Sequence, residues 1–96
     1  MERLIEGINA YNAGEFSQAY EILYPLAQYE RDDEAQLYVG MMYFYGEGVE
    51  QSEEKAMEWW KKAMRSGNQD AAYRLSELKT STKTTFYPFP KTTLIL

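Results

Sequence analysis

The sequence predicts an all-α protein built from stacked antiparallel helix pairs, with an extended C-terminal tail. Three observations predict it. Apolar residues recur at helical spacing as far as Lys79. The pattern repeats at intervals of 34–37 residues, the interval of a helical solenoid. From Thr80 the composition changes to Thr, Pro and aromatic residues.

Five helices are expected, near residues 2–13, 16–29, 34–45, 52–66 and 69–79. Leu4, Ile5, Ile8 and Tyr11 mark one face of the first, and Gly14 ends it. Phe16, Ala19, Leu23 and Leu26 mark the second, with Pro25 inside it, where a bend is expected. The acidic run Glu30 to Glu34 closes that helix and opens the third, whose positive dipole end favours acids. The third, Ala35 to Tyr45, is apolar nearly all round and must be buried on more than one side. Ser52 is the expected N-cap of the fourth, which carries Ala56, Trp59, Trp60 and Ala63 on one face. Gly67 is its expected left-handed stop, and the fifth runs through Ala71, Leu75 and Leu78. The tail from Thr80 holds two prolines and many β-branched residues, and is expected to be extended. The division is therefore a helical domain at 1–79 and a tail at 80–96.

Composition removes whole classes of function. The 96 residues contain no Cys and no His, so disulfides, thiolate nucleophiles, His bases and ordinary zinc sites are excluded. A formal charge of −5 argues against nucleic acid. No long apolar run spans a membrane and no basic leader opens the chain, so a cytoplasmic location is expected. The charge is uneven. Residues 1–54 hold 12 acids and 2 bases, and residues 55–96 hold 3 acids and 8 bases. An acidic half could meet a basic half, within the chain or head to tail.

The internal repeat has several registers. Ala35 answers to Ala71 at a shift of 36, and Ala19 to Ala56 at 37. Ile8 and Tyr11 answer to Met42 and Tyr45 at 34. Small residues at the contact points let paired helices approach closely, so Gly40 and Ala56 are expected at a helix crossing. The run Ala35, Val39-Gly40, Tyr43, Gly46, Gly48-Val49, Lys55-Ala56, Trp59-Trp60, Ala63 and Gly67 resembles the SEL-one-like repeat, a relative of the tetratricopeptide repeat. The stretch from Gly14 to Ala27 looks like a shorter opening repeat, and Ala71 to Leu78 like the first helix of a third. The resemblance implies a right-handed α/α solenoid of about two and a quarter repeats. The second helix lacks the usual Gly stop near Glu30 and carries about one extra residue.

Site-like motifs are absorbed by packing. Gly46-Glu47-Gly48 lacks the strand and the Lys-Ser/Thr of a phosphate loop, and reads as a turn. Adjacent acids at helix starts diverge into solvent rather than converge on a metal. The Trp59-Trp60 pair matches a core position rather than a stacking platform. No base–nucleophile pair can be assembled, so an enzyme is not expected, and no cofactor is implied.

In solenoids of this type the first helix of each repeat lines a concave groove. The resemblance thus places partner contacts at Leu4, Ile8, Tyr11 and Asn12, at Tyr38, Met42 and Tyr45, and at Arg74 and Leu78. The function it implies is protein–protein interaction, an adaptor or scaffold holding a peptide or partner surface. The alternative is an inhibitor or immunity-type protein whose acidic N-terminal half covers a basic site. The tail residues Phe86, Tyr87 and Phe89 are expected to dock, the alternative being a disordered tail. Either they cap the fifth helix or they enter a neighbour's groove and form a homo-oligomer.

Overall fold

The computed structural model describes residues 2–84, the last six by backbone alone. Five α-helices follow one another: α1 Glu2–Asn12, α2 Phe16–Gln28, α3 Asp33–Tyr45, α4 Glu53–Arg65 and α5 Gln69–Thr84. No strand occurs among the described residues. The main packing is between sequence neighbours: α1 on α2, α2 on α3, α3 on α4 and α4 on α5.

Each boundary has a local cause. Asp32 caps α3, its side chain accepting from the Ala35 N–H at 3.0 Å. Ser52 caps α4 through the Lys55 N–H at 3.1 Å, and Asn68 caps α5 through the Ala71 N–H at 2.9 Å. Gly14, Gly46 and Gly67 end α1, α3 and α4 at positive φ. The α2 terminus differs. Arg31 takes φ +56°, where the next helix pair has Gly67 at +98°, and the Asp32 N–H closes the turn on the Leu26 carbonyl at 3.0 Å. An L residue is disfavoured there by roughly 1–3 kcal/mol.

Two glycines stand at matching helix contacts. A Cβ on Gly40 would stand 2.5 Å from Cδ1 of Trp60, and one on Gly7 would stand 2.6 Å from Cδ2 of Leu23. Gly7 and Gly40 are 33 positions apart, whereas Leu23 and Trp60, like Ala19 and Ala56, are 37 apart. The difference lies in the turns, three residues between α1 and α2 and seven between α3 and α4. The first helices are therefore offset by 33 rather than 34. Ile8 answers to Met41, Tyr11 to Phe44 and Asn12 to Tyr45.

The core has two parts. Leu4, Ala19, Leu23, Ala27, Ala35, Val39, Met42 and Trp59 pack between α1, α2, α3 and α4. Leu37, Ala56, Trp60, Ala63, Ala71 and Leu75 pack between α3, α4 and α5. Both tryptophans are buried, and the Trp60 indole N–H donates to the Leu37 carbonyl at 3.1 Å. Tyrosines join the helices beside the core. Tyr20 stacks on Tyr24 at 5.3 Å, Tyr24 meets Trp59 edge-on at 5.8 Å, and the Tyr20 and Tyr43 hydroxyls hydrogen-bond at 2.9 Å.

One boundary departs from expectation. α5 continues to Thr84, five residues past Lys79. Thr and Ser cost a helix only tenths of a kcal/mol each, up to about 0.7, whereas the first real breaker is Pro88. Residues 85–96, which include the expected docking residues Phe86, Tyr87 and Phe89, lie outside the described residues.

Candidate functional site

The first helices of the successive pairs, α1, α3 and α5, carry the residues that the sequence proposes as a groove. At one end Tyr11 is fixed on three sides. Its ring meets Phe16 edge-on at 5.4 Å and Tyr38 at 5.3 Å, and its hydroxyl donates to Glu47 at 2.6 Å. Burial and the Glu47 carboxylate push the Tyr11 phenol well above its ordinary value. Glu47 lies in the α3–α4 turn, so this bond ties the first helix to the second helix pair.

Between α3 and α5 lies a hollow of about 370 Å³, lined by Leu37, Tyr38, Met41, Tyr73, Arg74 and Glu77 among others. A second, of about 420 Å³, is lined by Phe44, Tyr45, Trp60, Arg74 and Leu78 among others. Arg74 belongs to both, its guanidinium lying 5.8 Å from the Trp60 ring centre. Tyr73 donates to Glu77 at 3.0 Å, and that bond raises its phenol pKa. Tyr45 and Tyr73 are 52% and 64% exposed, high for rings of this size.

The expected groove residues divide. Tyr38, Tyr45, Arg74 and Leu78 line these two hollows. Ile8 and Tyr11 are half-buried on α1, and Asn12 is exposed at its end. Met42 is corrected to the core, with 0% exposure, and Leu4 is nearly as deep. The physical reason is the 33-residue offset. It matches the partly buried Ile8 with the partly buried Met41, which leaves Met42 in the core, and it matches Leu4 with the similarly buried Leu37. Met41, Phe44 and Tyr73, which the sequence pattern did not single out, line the same hollows. The pair Gly7 and Gly40, read as equivalent, carried the signal that would have found the first two.

A third hollow, of about 420 Å³, opens at the starts of α3 and α5, with Leu4, Asp32, Asp33, Glu34 and Asp70 around it. Asn68 bridges it, donating to Asp33 at 2.9 Å. No group of carboxylates among the described residues has the geometry to hold a metal ion. No described helix is long and apolar enough to cross a membrane.

The Sel1 repeat family model matches residues 33–68. Among curated proteins and among solved structures, none matches the chain. The matched span begins on the first residue of α3 and ends on Asn68, the cap of α5, so it covers one complete helix pair with both its turns. Sel1 repeats generally mediate protein–protein interaction and are typically non-catalytic. Residues 33–68 match a Sel1 repeat, which is consistent with a Sel1-like repeat protein.

Proposed function

We propose that the chain is a protein-interaction module, an adaptor or scaffold that receives a peptide or partner surface on the face shared by α1, α3 and α5. The observation that carries this reading is the pair of hollows flanking Arg74, with Tyr45 and Tyr73 open to solvent beside them. Exposed rings around a stacked Arg supply the residue types that dominate binding energy at interfaces. Ile8, Tyr11, Asn12, Tyr38, Tyr45, Arg74 and Leu78 are the proposed contacts, joined by Met41 and Tyr73. Leu4 and Met42 support them from beneath. We take α1–α2 as a diverged first repeat, because Gly7 against Leu23 reproduces Gly40 against Trp60. α5 then opens a third repeat, and the helical unit runs to Thr84.

Four carboxylates around the hollow at the α3 and α5 starts favour a second reading, in which an acidic face covers a basic site on another protein. Salt separates the two, because an acidic blocker loses on-rate steeply with ionic strength and an apolar groove does not. The test is a peptide library displayed against the immobilised chain, with selected peptides titrated at 50 and 300 mM salt. A groove predicts at least tenfold weaker binding to the double variant Tyr45→Ser/Tyr73→Ser, with little salt effect. Binding untouched by those changes but abolished by Asp33→Asn/Asp70→Asn would place the function on the acidic face.

A further inference from the structure

The α2 and α4 ends hold a separate recess of about 310 Å³ that shares no lining residue with the three hollows described above. Arg31, Lys62 and Arg65 line it, with Ala27, Gln36 and Ser66. Three cations meet here in a chain of net charge −5. Among the described residues none of the three has a carboxylate within ion-pair distance, and the one ion pair found joins Arg3 and Glu6. Lys62 is held over the Trp59 ring at 4.4 Å.

Two further observations point to a ligand. Gln36 is 3% exposed, its Nε2 donates to the Ala27 carbonyl at 3.2 Å, and its Oε1 is buried with no donor. A buried acceptor left unpaired is uncommon and calls for a donor. Arg31 occupies a left-handed position that Gly fills one repeat later, so the strain places a guanidinium where the turn itself prefers none. Lys62 and Arg65 lie in the last turn of α4, where the helix dipole alone favours cations. Arg31 follows the end of α2 and lines the recess beside that helix's last turn, so the negative ends of two helix dipoles face the same space.

We propose that this recess binds a carboxylate carried on a peptide segment. Arg31 and Arg65 hold the carboxylate, whose planar pair of oxygens suits the guanidinium fork, and Lys62 adds charge from its seat on Trp59. A peptide also brings backbone N–H groups, and one of these satisfies Gln36 Oε1 once the side chain turns out of its covered position. The volume admits one side chain or a chain end, not a folded surface. The shared chemistry is a carboxylate, from an acidic side chain or from a peptide C-terminus.

The full chain is titrated at 50 mM salt with three probes: acetyl-Glu-Glu-Leu-amide, acetyl-Gln-Gln-Leu as the free acid, and acetyl-Gln-Gln-Leu-amide. Readouts are the Gln36 side-chain amide resonances and tryptophan fluorescence, with Trp59→Phe as the reporter control. The first or the second probe should saturate both signals, and which one does identifies the carboxylate. The doubly amidated neutral probe should do nothing. Arg31→Asn/Arg65→Gln should weaken binding at least tenfold with an unchanged melting curve or a higher one, and Arg3→Gln should leave it alone. Equal response to all three probes, no response to any, or full binding by the double variant would overturn the proposal.

Discussion

Gly40 and Trp60 share one space: the indole lies where a side chain on residue 40 would begin, and its N–H bonds the Leu37 carbonyl one turn earlier on α3. This contact fixes how closely α3 and α4 approach, and the Gly7–Leu23 contact does the same for α1 and α2.

Gly40→Ala is therefore expected to destabilise despite its better helix propensity. The new Cβ must displace a buried ring, at a cost of about 1–3 kcal/mol. For a domain of this size each 1 kcal/mol is about 4–8 °C in Tm. Thermal melts monitored by circular dichroism check it, and a melt equal to the parent's would refute the packing account.

Arg31→Gly should act in the opposite direction. It relieves a positive-φ strain at an exposed position. Part of that gain is offset by the greater backbone freedom of unfolded Gly, leaving a rise of up to about 1 kcal/mol. Urea denaturation measures it, with an unchanged m-value expected.

Asn68→Ala removes two bonds at once, the cap on Ala71 N–H and the bridge to Asp33. A lost cap costs about 0.5–2 kcal/mol. Amide hydrogen exchange should show the first turn of α5 opening more readily than the rest.

Alkaline stability follows from the tyrosines. Burial and hydrogen bonds to Glu47 and Tyr43 raise the phenols of Tyr11 and Tyr20 above the ordinary 10.0. Above pH 10.0 the unfolded chain loses these protons while the folded chain keeps them, so unfolding is favoured as pH rises. Stability from this source is complete below that pH and is lost above it. Denaturation midpoints measured between pH 8 and pH 11 should fall, and Tyr11→Phe/Tyr20→Phe should flatten the fall.

Tyr45→Ser and Tyr73→Ser should each change stability by less than about 0.5 kcal/mol, because exposed side chains away from caps and core contribute little. Equilibrium unfolding of the two variants checks that any binding they lose comes from the surface and not from the fold.

The order of the helices and all their bounds but the end of α5 were legible in the residues to within a residue or two, because caps and stops act within one turn. Asp32, Ser52, Gly14 and Gly67 stand where the chain reverses, the first two capping backbone N–H groups and the glycines taking positive φ. The helix contacts were legible too, since the alanines at 19, 35, 56, 63 and 71 are all fully buried. Which side chain faces outward on α3 was decided only by tertiary packing. Met41 and Met42 are identical in chemistry and one position apart. Met42 packs with Leu4, Ala19 and Leu23 from α1 and α2, whereas Met41 is only partly buried beside Leu37 and Trp60. The basic recess belongs to the same class. Arg31, Gln36, Lys62 and Arg65 come from three segments, and no periodicity in the sequence brings them together. They meet because α2 and α4 both pack on α3, with their ends on the same side.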